Sequence, residues 1–264
     1  MCPVIHIGSI RLYSYVLLTA VSFFVGISWS IIRAPRHGVS PIFTSRLSWI
    51  LVVTGLIGTR LGYFLFERPI REFDLVAMFR VWEPGMVFYG GFGLAVLSAI
   101  LFCRMKSVSF FSVADVAAPP IALAHAFGRV GCLLAGCCYG KPSHLPWAIR
   151  FAKNRWSPAP PAIALHPTQI YEIIGLCFIV SILLLVERRQ RFSGQIFALY
   201  LALYACLRMA VEHFRGDDDR GFVSFGRAYP NSWLSTSTAI GLAMIAVAAA
   251  IVVIRGRVSP KRTP

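Results

Sequence analysis

Charge is what this sequence has least of: only 14% of its 264 residues are Asp, Glu, Lys or Arg, while 57% are hydrophobic. A soluble domain of this length needs far more charge to cover its surface, so a water-soluble globular class is excluded. Acids are scarcest, 11 against 26 Lys and Arg, and the formal net charge is +15. The seven cysteines show no evenly spaced framework of the secreted type, which excludes a disulfide scaffold. No internal repeat recurs, so the inverted-repeat logic of secondary transporters finds no support. The stretch GCCYGKP (136–142) lacks the spacing of a nucleotide-binding P-loop.

Long apolar runs are present instead, and a bilayer crossing needs about 20 such residues. Seven runs are legible, at 12–32, 47–66, 86–103, 112–135, 169–186, 195–214 and 233–254, and the mean hydropathy is +0.68. No soluble domain fits between them, so residues 1–264 read as one polytopic, all-α membrane domain with seven transmembrane helices. Arg11 is the single basic residue before the first run, and that run exceeds a signal-peptide core, so it is expected to stay in the mature chain.

The surplus bases are explained by topology. Alternate connections carry Arg33, Arg36 and Arg46, then Arg104 and Lys106, then Arg188, Arg189 and Arg191, with Arg255, Arg257, Lys261 and Arg262 in the tail. Glu187 is their one acid, whereas Arg68 and Arg71 sit among Glu67, Glu72 and Asp74, and Arg215 and Arg220 flank Asp217, Asp218 and Asp219. The positive-inside rule then places the N-terminus outside and the C-terminus in the cytoplasm. The loop holding Lys141, Arg150, Lys153 and Arg155 fits this less well. Bases spread over many short loops argue against nucleic acid as a partner. Three longer connections, 67–85, 140–168 and 215–231, then face outward, with Trp147 and Trp156 as interfacial anchors.

Ionisable residues within spans mark function by default. Arg60, Arg129, Glu172, Arg208 and Glu212, with Tyr13 and Tyr89, fall in the outer half of the bilayer under this topology. Asp115 falls on the cytoplasmic side and reads as a packing or hydrogen-bonding residue. Tyr204, Arg208, Glu212 and Arg215 follow helical spacing as one polar stripe. An internal ion pair that only fixes helix packing is the plainer alternative. Guanidinium in surplus favours an anion, and its fork suits phosphate. Pro119 and Pro120 are expected to kink the fourth span, and the glycines from Gly128 to Gly140 to break its backbone and form a cavity wall. Gly90-Gly91-Phe92-Gly93 reads as close helix packing, and His213 as interfacial.

Six blocks, in order, resemble the prolipoprotein diacylglyceryl transferase family: IRLYSY (10–15), GTRLGYFLFE (58–67), FRVWEPGMVFYGGFG (79–93), SFFSVADVAAPPIALAHAFGRVG (109–131), HPTQIYE (166–172) and YACLRMAVEHFR (204–215). The resemblance implies an enzyme of the bacterial inner membrane. It moves diacylglycerol from phosphatidylglycerol to the lipobox cysteine of a prolipoprotein, forming a thioether and releasing glycerol phosphate, with no cofactor. It assigns Arg129 to phosphatidylglycerol binding and Arg208 as the second essential arginine, with Tyr204, Glu212 and Arg215 as companions. Tyr13 and Gly140 match further substrate positions, and Arg60 joins the lipid-binding set.

The chain departs from that pattern at three positions. Tyr89 stands where the family usually has the histidine proposed as base, and Cys132 and Cys137 stand where it has Asn and Glu. Transfer to another acceptor, or anionic-lipid binding without turnover, therefore remains as an alternative. Tyr89 either serves as the base or positions substrate while arginines acidify the thiol. Cys132, Cys137 and Cys138 read first as packing or cavity-shaping residues, then as redox or acyl-carrying thiols. A metal site comes last, because the spacing fits no standard motif, with His125 or His166 as its possible completion. A Cys137–Cys138 disulfide would be strained, since adjacent Cα atoms lie about 3.8 Å apart.

Single-cysteine labelling in a thiol-free background should find positions near Arg189 cytoplasmic and positions near Asp218 outside. The reverse pattern would overturn the topology.

Overall fold

The computed structural model describes residues 4–7, 10–66, 87–153, 157–216 and 235–258. The expectations placed on 67–85, 217–231, Trp156, Lys261 and Arg262 lie outside them. Among the described residues seven α-helices dominate: α1 Ser14–Arg33, α2 Pro41–Phe66, α3 Phe88–Met105, α4 Phe110–Ala135, α5 Thr168–Glu187, α6 Gln195–Glu212 and α7 Thr236–Val258. A 3-10 turn, Ala34–His37, follows α1.

Six helical stretches are long and apolar enough to cross a membrane: Ser14–His37, Pro41–Leu65, Phe110–Ala135, Thr168–Glu187, Gln195–Glu212 and Thr236–Arg257. An apolar helix of 18 residues rises about 27 Å, close to the thickness of a hydrocarbon core. The seventh, Tyr89–Met105 within α3, is apolar but shorter. Large apolar side chains stand on helix surfaces, Phe24 with 73% and Phe178 with 66% of its surface open. Such exposure is costly in water and natural against lipid tails. The protein is thus an all-α membrane protein in its main architecture.

Two short antiparallel hairpins, absent from the sequence expectation, qualify that description. β1 (Val4–Ile7) pairs with β2 (Ile10–Tyr13), bringing Val4 opposite Tyr13, and β3 (Ile149–Arg150) pairs with β4 (Ala164–Leu165). The sequence signals were helix-length apolar runs, and elements of two to four residues leave no such signature.

The described residues fall into two compact units, one within Met1–Trp29 and Ala114–Pro264, the other Ser30–Val113. In the second, α2 and α3 pack through glycine. A side chain at Gly90 would strike the Gly58 carbonyl and Gly62 Cα, and one at Gly91 the side chain of Thr59. Phe43, near the start of α2, stacks on Phe102 near the end of α3 with centroids 5.0 Å apart, so the two helices run antiparallel. The glycine cluster at 90–93 is a packing device, as its composition suggested.

In the first unit, Ala118, Ala122 and Ala126 present a stripe of small side chains along α4. Leu176, Ile179 and Leu183 of α5 pack on it with Ile196 and Tyr200 of α6. α4 continues through Pro119 and Pro120, both buried, and also through Gly128 and Gly131. The helix breaks only at Gly136, whose φ of 76° lies in the left-handed region that ends helices. The expected break at Gly128 is therefore corrected. A glycine costs a helix about 1 kcal/mol relative to Ala, too little to stop one held by neighbours.

Asp115, fully buried, is a hydrogen-bonding residue as read. Its Oδ2 accepts from Gln190 Nε2 at 2.6 Å and from the Gly194 amide at 2.6 Å, and its Oδ1 accepts from the Phe197 amide at 2.8 Å. α4 thereby caps the N-terminus of α6, satisfying amides that have no partner inside the helix. Asp115→Ala should lower stability in detergent by about 3 kcal/mol, since it takes the acceptor from the Gly194 and Phe197 amides, while Gln190 keeps the Phe192 carbonyl. An unchanged melting transition would show that the cap contributes nothing.

Candidate functional site

The polar chemistry of the first unit converges on α4, α5 and α6. Arg129 lies on α4 one turn after His125, and its Nε reaches Glu172 Oε2 on α5 at 2.8 Å and His125 Nε2 at 3.2 Å. His125 Nε2 is the acceptor of that contact. Glu172 Oε1 has no hydrogen-bond partner among the described residues. On α6, Arg208 Nη1 pairs with Glu212 Oε2 at 2.6 Å, while Nη2 donates to Ser237 Oγ of α7 at 2.7 Å. Tyr204 stands one turn before Arg208, its ring 5.3 Å from that of His125. Glu172 lies within electrostatic reach of Arg129, Arg208 and Arg215, and Tyr204 within reach of Arg129, Arg208 and Glu172. The side chains of Arg129, Glu172, Arg208 and Glu212 are nearly closed to solvent.

Arg215 reaches this cluster by another route than the sequence indicated. α6 ends at Glu212, so Arg215 is not the last member of a helical stripe. It forms an antiparallel bridge with Gly140 instead, flanked by Lys141 N donating to Phe214 O at 2.7 Å and Gly216 N donating to Tyr139 O at 3.2 Å. Helical periodicity predicts a stripe only as far as the helix runs. Gly140 is required by contact: a Cβ there would lie 2.5 Å from His166 Cβ and 2.8 Å from Phe214 O.

The loop after α4 is tied down from α5. Gln169 Nε2 donates to the Cys137 carbonyl at 2.7 Å, and Thr168 Oγ1 to the Cys138 carbonyl at 2.6 Å. Cys138 has φ of 57°, a conformation a non-glycine residue holds only when its surroundings enforce it. Cys132, Cys137 and Cys138 are free thiols, and their sulfurs lie within 4.8 Å of one another. The sequence ranked a metal-type grouping of these thiols last because no standard spacing announces it; a helix end, a left-handed glycine and a left-handed cysteine fold it together. Beyond the span, the Cys138 thiol is held below its ordinary range by hydrogen bonds from Cys132 and Cys137, then by Arg129 and Arg215, against burial.

Tyr13 ends β2 directly before α1 and is 43% exposed. Two residues on, Tyr15 meets α4 at Gly131, where an added Cβ would lie 3.5 Å from Tyr15 Cα. Arg60, buried in α2, and Tyr89, 55% exposed in the first turn of α3, belong to the other unit. A cavity of about 460 Å³ lies beside the Gly140–Arg215 bridge, lined by Leu145, Trp147, His166, Tyr171 and Phe214. Trp147 Nε1 donates to the Tyr171 hydroxyl at 2.9 Å there, and the same hydroxyl lies 3.2 Å from His166 Nδ1. His213 binds its own helix, with Nδ1 2.9 Å from Met209 O. Glu172 and His125 were named in the sequence without a role in this cluster, and Gln169 and Ser237 were not singled out there at all. The i, i+4 spacing of His125 and Arg129 was an available signal, whereas Gln169 and Ser237 gave none.

These features define a polytopic membrane protein with an ionic cluster held among the apolar helices of its first unit. A model of the prolipoprotein diacylglyceryl transferase family matches residues 3–254, and the chain belongs to that family. A phosphatidylglycerol–prolipoprotein diacylglyceryl transferase of Clostridium tetani is 32% identical over 248 residues, covering 94% of this chain and 95% of its own length. A protein of that name from Frankia alni is 31% identical, covering 99% of this chain and 68% of its own. Another, from Bordetella avium, is 37% identical over 190 residues, 70% of this chain and 69% of its own.

Arg129→Ala should destabilise the protein by on the order of 3 kcal/mol, because it leaves the Glu172 carboxylate buried without its ion-pair partner. Adding Glu172→Gln to that variant should restore most of the melting transition without restoring lipid binding. Full recovery of binding in the double variant would make the arginine purely structural.

Proposed function

We propose that the chain transfers a diacylglyceryl group from phosphatidylglycerol to the lipobox cysteine thiol of a prolipoprotein, forming a thioether during lipoprotein maturation in the bacterial inner membrane. The observation that carries this is the buried Arg129–Glu172 ion pair, with Arg208 and Arg215 within electrostatic reach of the same carboxylate, in a chain matched by the family along almost its whole length. With Glu212, these five side chains carry a net positive charge in a low-dielectric setting, which suits a lipid phosphate. Displacing a phosphate monoester needs charge stabilisation on the leaving oxygens, and positioned guanidinium groups supply it without reorganising. Arg129 and Arg208 take the phosphate, Glu212 orients Arg208, Tyr204 stands beside both arginines, and Arg215 and Gly140 form the adjoining wall. The apolar cavity at Leu145, Trp147 and Phe214 suits the lipid's hydrocarbon part. Tyr13 belongs to the substrate-binding set in this reading, and Arg60 and Tyr89 are carried beside it as assignments from the sequence alone.

We place all of this in a single polytopic domain of seven spans, α3 being the seventh, with the N-terminus outside and the C-terminus in the cytoplasm. Polar chemistry near the outer ends of the spans then meets outer-leaflet lipid and an exported acceptor. Transfer to another thiol or hydroxyl, or lipid binding without turnover, is favoured by the departures at Tyr89, Cys132 and Cys137.

Complementation of a strain depleted of its own transferase tests the proposal. The chain should restore growth, Arg208→Ala should lose transfer by about a hundredfold or more, and Arg189→Ala, exposed beyond α5, should do little. Tyr89→Phe should keep most of the rate, as expected of a positioning role, whereas general-base loss would cost about a hundredfold. Failure of an expressed, membrane-inserted chain to complement favours the second reading.

A further inference from the structure

We propose that Cys132, Cys137 and Cys138 form a three-thiolate site for one divalent ion of the zinc class, with its fourth coordination position open to the acceptor thiol. The last clause rests on the transferase reading; the metal site itself does not.

The geometry comes first. Zinc–sulfur bonds of about 2.3 Å put tetrahedral thiolates about 3.8 Å apart. The three sulfurs already lie within 4.8 Å of one another, so closing on an ion needs only small side-chain rotations. The backbone that presents them is fixed before any ion arrives. The Cys132 carbonyl accepts from the amides of Gly136 at 2.9 Å and Cys137 at 3.1 Å, closing the end of α4. Gln169 and Thr168 then hold the next two carbonyls, and the left-handed Cys138 turns its side chain back toward its two neighbours. Such strain persists where surroundings over-determine it, and it is concentrated at functional sites. A packing role for three cysteines would not require it.

Charge and chemistry agree with the geometry. Three thiolates and a divalent cation sum to one negative charge, which the Arg129 and Arg215 guanidinium groups beside Cys138 stabilise. Three protein ligands and one open position is the pattern of a catalytic rather than a structural zinc site. The fourth ligand of matching softness is a thiolate, and a thiol bound to zinc gives up its proton. That is the activation which a base would otherwise perform. In the transfer, the acceptor S–H bond breaks on coordination and the sulfur lone pair attacks the glyceryl carbon. The C–S bond forms as the C–O bond to phosphate breaks, and the leaving glycerol phosphate keeps that electron pair and takes up the proton. No oxidant or reductant enters.

Cobalt(II) titration of the purified, reduced full-length chain tests the site. One ion per chain should bind, with thiolate-to-cobalt charge-transfer absorption in the near ultraviolet and intense tetrahedral bands in the visible. The bands should vanish in Cys132→Ser and Cys137→Ser and persist in Cys177→Ser and Cys206→Ser. As a control independent of variant folding, zinc(II) should shield Cys132, Cys137 and Cys138 of the unmodified chain from alkylation and leave the labelling of Cys177 and Cys206 unchanged. A lipobox peptide should shift the cobalt spectrum, and its Cys→Ser counterpart should not. Absence of thiolate bands, bands that survive loss of Cys132 and Cys137, or equal alkylation with and without zinc would each overturn the site. A cobalt spectrum indifferent to the peptide, or undiminished transfer by metal-stripped protein, would overturn the open position while leaving the transferase reading intact. Metal binding in a chain that transfers nothing would have the opposite effect: it would support the site and sink the transferase reading.

Discussion

A charge inside a membrane-spanning bundle must be met by another, and the 2.8 Å pair between Arg129 and Glu172 is where this molecule satisfies that constraint. The pair joins α4 to α5 beside a stripe of alanines small enough to let the helices approach. Three residues before Glu172, Gln169 begins the grip on the loop that follows α4. The helix that neutralises the Arg129 guanidinium therefore also holds the loop that carries Cys137 and Cys138. Arg215, brought back by its bridge to Gly140, and Arg208, held by Glu212 and Ser237, complete the cluster from α6 and its exit.

The arrangement separates two roles that buried ion pairs often blur. Glu212 and Ser237 fix the orientation of Arg208, and Glu172 that of Arg129, so neither guanidinium must reorganise to receive a ligand. An environment already arranged around the place where negative charge develops is worth most where water is scarce. Removing both partners of such a pair can be nearly harmless to stability, while removing one is not.

Much of this was legible in the sequence. Apolar runs located every helix to within a few residues, except that α2 begins at Pro41 rather than 47, because amphipathic residues such as Thr44 and Arg46 extend it beyond the apolar stretch. Charges in spans named Arg129, Arg208 and Glu212, since an ionisable group in hydrocarbon is conspicuous against its neighbours. What stayed hidden depends on backbone outside regular periodicity. The departure of Arg215 from the α6 stripe, the hairpins at 4–13 and 149–165, and the gathering of three cysteines all arise at helix ends and short bridges. Gln169 and Ser237 are polar residues of ordinary type whose importance lies only in what they touch.

Purified, lipid-reconstituted protein incubated with phosphatidylglycerol and a lipobox peptide, followed by mass spectrometry of the peptide and assay of released glycerol phosphate, decides whether the cluster performs the transfer. A peptide heavier by one diacylglyceryl group on its cysteine, with one glycerol phosphate released per modified peptide and neither product from Arg129→Ala, is the expected result. Lipid bound by the unmodified chain with no modified peptide, or modification that persists without Arg129, would contradict it.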